Sequence, residues 1–268
     1  MSGERTYKAL IVGDVVGKCG RDTFEKALPE LQWQLDVDFT LVNGENTSNG
    51  RGLNRRDFDF YRDLGADAVT LGNHLYGNRE ISSLLDKEER LARPANLPPA
   101  TPGSPYRIVP CGDLKIAVLN LLGRVYMNMP ALDCPFRRAE ELLHEIHAIT
   151  SIILVDFHAE ATSEKLALAR FLDGRVTAVF GTHPHVQTSD ARILPRGTAY
   201  LSDVGMTGAY DSILGVESEQ VINRFLTGRT EPFKVAVGEA EFDALLLEFD
   251  AAGKALHAET IRKMVRMD

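Results

Sequence analysis

The sequence predicts an α/β fold, on two observations. Short apolar runs suited to buried strands alternate with segments of helical periodicity along most of the 268 residues. Strand after strand in this pattern is followed directly by Asp, Glu, Asn or His. Ligands of open α/β sheets bind beyond the carboxyl ends of the strands, so the second observation also indicates where the functional site lies.

The predicted strands are short runs rich in aliphatic and β-branched residues. They cover residues 7–12, 39–42, 68–71, 115–121, 152–157 and 177–180, with residues 106–109 as a pairing partner for the fourth. The Pro-rich stretch 94–105 is a predicted loop, because proline fixes φ and lacks an N–H donor. The later chain changes pattern, with predicted strands over residues 192–201, 241–249 and 256–265.

The predicted helices carry apolar residues at helical spacing, as Phe24 and Leu28 do on one stripe. They cover residues 22–35, 54–64, 80–85, 134–148, 163–172 and 217–226. Asn54 is the predicted N-cap of the second helix, and Thr162 or Ser163 that of the fifth.

Composition and charge exclude several classes of protein. Lys and Arg total 30 against 38 Asp and Glu, which gives a net charge of −8, and 44% of the residues are hydrophobic. These values are typical of a globular chain and exclude intrinsic disorder, collagen and a disulfide-stapled miniprotein. The acidic balance also argues against a stable nucleic-acid partner, because such proteins usually carry a basic surface.

The cysteines and the apolar runs predict a cytoplasmic protein without a membrane partner. Cys19, Cys111 and Cys134 are few, odd in number and far apart, which favours a reducing compartment. The first apolar run stops at Gly13-Asp14, and no run approaches the ~18 apolar residues of a membrane span. The length suits a single domain over residues 1–268, with room for a small cap or insertion around residues 94–133.

Polar residues at the inferred strand ends form the candidate site. They are Asp14, Glu45, Asn46, Asn73, His74, His158, His183 and His185. Carboxylate, amide oxygen and imidazole together suit Mn, Fe or Zn. Each residue also has a purely structural interpretation, as a polar turn or a core histidine, but independent structural uses would not require strand ends. The glycine-rich signatures of dinucleotide-binding and phosphate-binding loops are absent.

The segment Gly181-Thr182-His183-Pro184-His185 is the most specific local signal. Two histidines at i and i+2 of an extended segment point to opposite sides of the chain. Gly181 and Pro184 favour a turn, which would let one imidazole reach each of two neighbouring metals. A surface turn without a metal is the alternative.

The order Gly-Asp, Gly-Glu-Asn, Gly-Asn-His, a single His and Gly-x-His-x-His resembles that of the calcineurin-like metallophosphoesterases, over roughly residues 7–265. The segments 13–17, 43–46, 156–165 and 203–208 resemble the bacterial YmdB-type branch, whose members hydrolyse 2′,3′-cyclic nucleotides. Val16 stands where the wider superfamily has a His, and Glu45 stands where it has a bridging Asp. Both departures are features of the bacterial branch. The resemblance implies a four-layer α/β/β/α sandwich.

The resemblance also implies a dinuclear metal centre that holds Fe or Mn, with Zn as a further candidate. The implied ligands of the first metal are Asp14 and His185, with Asn46 nearby. Those of the second metal are Asn73, His158 and His183, and Glu45 would bridge the two metals. His74 would protonate the leaving ribose oxygen or stabilise the charge that develops on it.

The implied reaction is hydrolysis of 2′,3′-cyclic nucleotides, such as 2′,3′-cAMP, to 3′-nucleotides by in-line attack of a metal-bridging hydroxide. A broader phosphomonoesterase or nuclease on the same metals is the alternative enzyme, and a regulatory protein with secondary catalysis is the alternative class. The substrate-binding residues are not assigned, because the cluster of Arg51, Arg55 and Arg56 fits a solvated helix start better than a phosphate site. The resemblance also makes a homo-oligomer an expectation.

Overall fold

The computed structural model describes residues 5–129 and 131–266 of the chain. Its helices are α1 (Gly17–Leu35), α2 (Arg55–Asp63), α3 (Ile81–Lys87), α4 (Pro135–Ile146), α5 (Thr162–Leu172) and α6 (Ser218–Thr227). Its strands are β1 (Thr6–Val15), β2 (Phe39–Asn43), β3 (Ala68–Thr70), β4 (Leu91–Ala92), β5 (Tyr106–Cys111), β6 (Leu114–Leu122), β7 (Ile153–His158), β8 (Ala178–Thr182), β9 (Arg192–Ile193), β10 (Ala199–Leu201), β11 (Met206–Ala209), β12 (Ala240–Asp250) and β13 (Ala255–Val265).

The first sheet joins the amino-terminal strands to the carboxyl-terminal ones, in the order β13-β12-β11-β1-β2-β3-β4. Strands β11, β1, β2, β3 and β4 run parallel, whereas β12 and β13 are antiparallel to their neighbours. Strand β1 pairs with β12 along its first part and with β11 at Asp14 and Val15. The carboxyl ends of β1, β2 and β3 therefore lie side by side at one edge of the sheet.

The second sheet has the order β5-β6-β7-β8-β10-β9. Its four inner strands run parallel, and β5 and β9 add antiparallel edges. Strands β5 and β6 come from the segment 94–133, so much of the expected cap or insertion belongs to this sheet. The single-domain boundaries and a separate cap stay predictions.

Apolar clusters hold four layers together. Ile11 of β1 and Phe180 of β8 belong to the cluster between the two sheets. Phe24 of α1 packs on the outer face of the first sheet, and Leu168 of α5 packs on the outer face of the second. This α/β/β/α arrangement confirms the predicted sandwich. Among the described residues, no helix combines the length and the apolar character that crossing a bilayer requires.

The helix ends agree with the sequence at one cap and differ at another. Asn54 is the N-cap of α2, where its Oδ1 accepts the N–H of Asp57 at 2.8 Å. The prediction for α5 is wrong, because Ala161 is its N-cap and makes no side-chain hydrogen bond, while Thr162 already lies inside the helix. Helix α1 begins at Gly17, a turn earlier than predicted, because its first turn carries little apolar periodicity.

Residues 192–201 form two short strands instead of the single strand that the sequence predicts. Strands β9 and β10 pair antiparallel across a tight turn, in which the N–H of Gly197 donates to Leu194 O at 2.9 Å. Gly197 has a φ of +104°, which is open to glycine and strained for other residues. Pro195 and this glycine break the strand that the apolar pattern suggested.

Candidate metal centre

The predicted site residues lie at the carboxyl ends of five strands drawn from both sheets. Strands β1, β2 and β3 lead to Asp14, to Glu45 with Asn46 and to Asn73 with His74, while β7 and β8 lead to His158, His183 and His185. Contacts connect the two sheets directly, since Asp14 Oδ2 accepts the backbone N–H of His183 at 3.1 Å, across 169 positions of sequence. The fold thus brings together the residues that the sequence singled out.

Three candidate ligand atoms converge on Nε2 of His158, which is fully buried. Its Nε2 lies 2.9 Å from Asn73 Oδ1, 3.0 Å from Glu45 Oε1 and 3.2 Å from His183 Nδ1. The atoms offered by Glu45, His158 and His183 all lie within 4.8 Å of one another. Neighbouring ligand atoms around a cation with bonds of about 2 Å are separated by about 3 Å, so this spacing fits a metal ion.

Each histidine of the cluster turns one ring nitrogen inward and directs the other at an outer polar partner. The outer contacts are His158 Nδ1 to Thr182 Oγ1 at 2.9 Å, His183 Nε2 to Glu160 Oε2 at 3.1 Å and His185 Nδ1 to Leu214 O at 3.1 Å. Ionised carboxylate and carbonyl oxygens only accept, so the outer nitrogens of His183 and His185 carry the protons. When these two rings are neutral, as metal ligands must be, their inner nitrogens present lone pairs, which is the arrangement that metal-binding histidines usually have.

Thr182 orients His158 in the same way. Its single hydroxyl proton is donated to Asp156 Oδ1 at 2.6 Å, so Oγ1 accepts a proton from His158 Nδ1. Asp156 is fully buried, receives Asn43 Nδ2 at 3.1 Å, and has its pKa raised to about 6 by that burial. These roles of Thr182 and Asp156 are not evident from sequence, although strand periodicity does put Asp156 and His158 on one face of β7.

A second group of atoms surrounds Asp14, which is also fully buried. Asn46 Nδ2 lies 3.1 Å from Asp14 Oδ1 and 3.1 Å from His185 Nε2, and those two atoms are 3.7 Å apart. The amide oxygen of Asn46 faces His74 Nδ1 at 2.8 Å. Asn46 therefore belongs to the first group by position, and its assignment as a ligand stays a prediction.

Glu45 connects the two groups. Its Oε1 lies 3.0 Å from His158 Nε2 and 3.3 Å from Asn46 Nδ2. Its Oε2 accepts the backbone N–H of His74 at 2.8 Å, and the side chain is 1% exposed. A buried carboxylate with one oxygen in contact with both groups is suited to bridge two cations.

The backbone around the cluster adopts conformations that most residues avoid. His183 has a φ of +104° and His185 a φ of +64°, so the segment turns as predicted and both rings face the cluster. Such conformations cost about 1–3 kcal/mol each and are concentrated at functional sites. Gly72 is needed for a different reason, since a Cβ there would lie 2.3 Å from Glu45 Oε2 and 2.4 Å from His158 Nε2.

Burial and charge shift the pKa values of the candidate ligands. Burial raises the pKa of Asp14 and Glu45, but His185 and His158 outweigh burial and hold both carboxyl groups below their ordinary values. Burial lowers the pKa of His185, but the charge of Asp14 outweighs it and raises the value to about 9. Burial, with His158 beside it, lowers the pKa of His183 to about 4. A metal ion bound here competes with protons for the same atoms.

His74 stands between the cluster and a cavity of about 490 Å³. Its Nδ1 contacts Asn46, and its Nε2 has no hydrogen-bond partner among the residues that the structure describes. Burial lowers the pKa of His74, and the nearby charge of Glu45 only partly opposes this. Of the three arginines considered from the sequence, Arg51 lines this cavity, whereas Arg55 forms ion pairs elsewhere.

The donor set fits a metal ion on its own chemistry. His158 Nε2, His183 Nδ1, Glu45 Oε1 and Asn73 Oδ1 face one another. With the outer nitrogens protonated, all four atoms are acceptors, and Glu45 and His158 are fully buried. Acceptor atoms so close together and shielded from water are stable only around a proton or a cation. Oxygen and imidazole ligands without a thiolate suit Mn, Fe or Zn.

Comparison with known proteins finds one family and several close relatives. The model of the YmdB-like protein family matches residues 10–261. The 2′,3′-cyclic-nucleotide 2′-phosphodiesterase of Bacillus subtilis is 46% identical over 255 residues, which cover 95% of this chain and 96% of the relative. A hypothetical protein from Thermus thermophilus has a TM-score of 0.90 at 42% identity, covering 96% of this chain and 99% of that one. A novel phosphatase from Mycoplasma pneumoniae has a TM-score of 0.91 at 34% identity, covering 97% and 94%.

Proposed function

The chain belongs to the YmdB-like protein family, and on that premise we propose that it hydrolyses 2′,3′-cyclic nucleotides to 3′-nucleotides. It is a phosphoric ester hydrolase with a metallophosphoesterase-like sandwich fold. The observation that carries the proposal is the set of acceptor atoms that face one another around Nε2 of the buried His158, with the outer partners of the histidines leaving the lone pairs inward. The activity printed for the Bacillus subtilis relative supports the substrate class.

We propose two metal ions for this centre, Fe or Mn, with Zn as a further candidate. Asp14 and His185, with Asn46, would hold the first ion, and Asn73, His158 and His183 would hold the second. Glu45 would bridge them. The contact of Glu45 Oε1 with members of both groups supports a bridging role, and the donor types support these metals.

Bound cations would lower the pKa of a coordinated water and neutralise the charge of the phosphoryl oxygens. The chain's own residues supply the remaining steps. Nδ1 of His74 donates its proton to Asn46 Oδ1, so a second proton, on Nε2, makes the ring cationic. This second proton can be transferred to the leaving ribose oxygen. Because burial lowers the pKa of His74, its cation is a readier proton donor than an exposed imidazolium.

The experiment measures hydrolysis of 2′,3′-cAMP by the wild type and by His74→Ala, with Mn²⁺ added. His144→Ala is the matched control, because His144 is an exposed histidine on α4, far from the site in the fold. We expect His74→Ala to lose about 10²–10⁴-fold in kcat and to retain its metal ions, while the control keeps full activity. Full activity of His74→Ala would contradict the role of His74, and an inactive wild type with every metal would contradict the function.

A phosphomonoesterase or nuclease on the same centre is the second candidate. The structural relative from Mycoplasma pneumoniae is described as a phosphatase, which supports this second candidate. The two activities leave different products, since ring opening of 2′,3′-cAMP releases no inorganic phosphate. Release of inorganic phosphate from 3′-AMP at a comparable rate would favour the phosphomonoesterase. A folded, inactive His74→Ala chain that still supports the cellular function would favour a regulatory protein with secondary catalysis.

We further propose a cytoplasmic location and self-association. Cys19, Cys111 and Cys134 are free thiols in the structure, which suits a reducing compartment. Helix α6 exposes the large apolar side chains of Phe225 and Leu226, which favour burial against another molecule. Light scattering of the purified chain tests self-association, and a monomer at micromolar concentration would contradict it.

A further inference from the structure

The cavity beside the candidate metal centre has two chemically different sides. Its polar side consists of site residues and of a neighbouring loop: Asn46, Asn49, Gly50, Arg51, His74 and His185. Its other side is largely apolar and carries one aromatic ring: Val16, Leu214, Val216, Phe233 and Val235. A volume of about 490 Å³ lies within the range of small-molecule sites, so the cavity exceeds the needs of a phosphate group alone.

The apolar side of the cavity is a wall formed by two paired segments of the chain, and it contacts one of the candidate ligands. Two segments run antiparallel, joined by the hydrogen bonds Glu217 N to Lys234 O at 3.0 Å and Ala236 N to Gly215 O at 2.9 Å. The wall meets the metal centre where Leu214 O accepts from His185 Nδ1. The same segment that orients one candidate ligand thus also lines the cavity.

The aromatic ring of Phe233 is available to a ligand. It is 45% exposed although it lies in the wall of the cavity. The guanidinium carbon of Arg224 lies 5.3 Å from its ring centroid, a cation–π contact that restrains the ring. Neighbouring Val235 is packed closely, since a Cβ at Gly17 would lie 2.8 Å from its Cγ1. The wall therefore offers a restrained, partly open aromatic surface.

We propose that this apolar side is a nucleobase subsite in which the base stacks on Phe233 while the cyclic phosphate lies at the metal centre. The proposal rests on the proposed function and adds the residue that distinguishes a nucleotide from a simple phosphodiester. A 2′,3′-cyclic nucleotide carries an anion and a flat aromatic group, which match the polar and the apolar residues that line the cavity. Base stacking on an aromatic side chain tolerates every base, because each base has a π face.

The wall also predicts a preference among bases. Its lining side chains are aliphatic or aromatic, so they offer contact area and little hydrogen-bond discrimination of base edges. A purine covers more of the ring and of Val216 than a pyrimidine does. We therefore expect a lower KM for 2′,3′-cAMP than for 2′,3′-cUMP. This difference in KM should be smaller in Phe233→Ala, which lacks the aromatic ring.

The experiment compares Phe233→Ala with Phe171→Ala on two substrates. Phe171 is the matched control, because it is a 40% exposed phenylalanine of α5 with its own arginine contact, from Arg175 at 5.5 Å, and it does not line the cavity. The substrates are 2′,3′-cAMP and glycerol 1,2-cyclic phosphate, which has the same five-membered cyclic ester and no base. We expect Phe233→Ala to raise KM for 2′,3′-cAMP about tenfold at nearly constant kcat, and to leave KM for the base-free ester unchanged.

Binding of 3′-AMP, measured by calorimetry on the metal-loaded chain, gives a readout separate from turnover. We expect Phe233→Ala to weaken 3′-AMP binding about tenfold and to leave binding of inorganic phosphate unchanged. Phe233→Leu, which keeps the apolar volume without the ring, should lie between alanine and the wild type.

Several outcomes would overturn the subsite. One is an unchanged KM for 2′,3′-cAMP in Phe233→Ala. Another is an equal rise in KM for both substrates, since a base contact cannot affect a substrate without a base. A wild type that hydrolyses the base-free ester and rejects every 2′,3′-cyclic nucleotide would refute the subsite and the substrate class while leaving a phosphodiesterase. A wild type inactive on both substrates would refute the proposed function itself.

Discussion

Replacing Thr182 by valine removes one hydroxyl from beneath the candidate metal centre and keeps the shape of the side chain. In the wild type this hydroxyl donates to Asp156 Oδ1 at 2.6 Å and accepts from His158 Nδ1 at 2.9 Å. All three residues are fully buried, so water cannot replace the lost partner. Thr182→Val therefore leaves a buried carboxylate oxygen without this donor and frees the imidazole to change its orientation and tautomer.

The size of the effect follows from these contacts. Leaving a buried polar group unpaired costs about 1–3 kcal/mol, so the free energy of unfolding of the metal-free chain should fall by that amount. Losing the outer partner of a metal-binding histidine costs about 10–100-fold in metal affinity. The two losses have one cause but separate measurements: denaturant unfolding of the metal-free chain, and competition for Mn²⁺ with a chelator of known affinity.

Thr207→Val is the matched control for this substitution. Thr207 is also a fully buried threonine, but its Oγ1 has no hydrogen-bond partner among the residues that the structure describes. Valine should therefore leave metal affinity unchanged and stability equal or slightly higher, because no hydrogen bond is lost. Equal metal affinities for Thr182→Val and the wild type would refute the orienting role of Thr182. A comparable loss in both variants would show that the effect is general to the core.

Three further predictions test other parts of the structure. Gly72→Ala should abolish metal binding in a folded chain, because its Cβ would lie 2.3 Å from Glu45 Oε2; elemental analysis showing retained metal would contradict this. In the metal-free chain the pKa of His185 is raised from 6.5 to about 9, so its stabilisation is present below pH 6.5 and is lost as the pH rises through 9. The free energy of unfolding should fall by about 3 kcal/mol over that window, and His185→Gln should flatten the profile; parallel profiles would argue against the pair with Asp14. Asn54→Ala should cost about 1 kcal/mol in urea unfolding through the lost cap of α2, and an unchanged midpoint would contradict that cap.

The positions of the site residues are predictable from sequence because topology determines them. A run of apolar residues that ends in Asp or His indicates a buried strand and its carboxyl end, and parallel strands bring those ends to one edge. Asp14 and His158 were found in this way, although they lie in different sheets. Gly181 and Pro184 likewise predicted a turn at His183 and His185, which the positive φ angles of both histidines produce.

The outer partners and the cavity wall could not be predicted in the same way. Thr182 resembles any other residue of a buried strand, and only the distance to His158 reveals its role. Glu160 is half exposed on a loop, and its contact with His183 depends on how β7 and β8 are aligned. Phe233 reaches the cavity through a pairing of irregular segments, for which sequence periodicity gives no signal.

Elemental analysis of the purified chain, after reconstitution with Mn²⁺ or Fe²⁺ and removal of free metal, tests the metal centre most directly. We expect about two metal ions per chain in the wild type and in His74→Ala, and a loss of both in Glu45→Gln, whose bridging carboxylate is gone. The contradicting result is a wild type that retains no metal under either condition. That result would show that Asn73, His158 and His183 do not bind a metal ion together with Glu45.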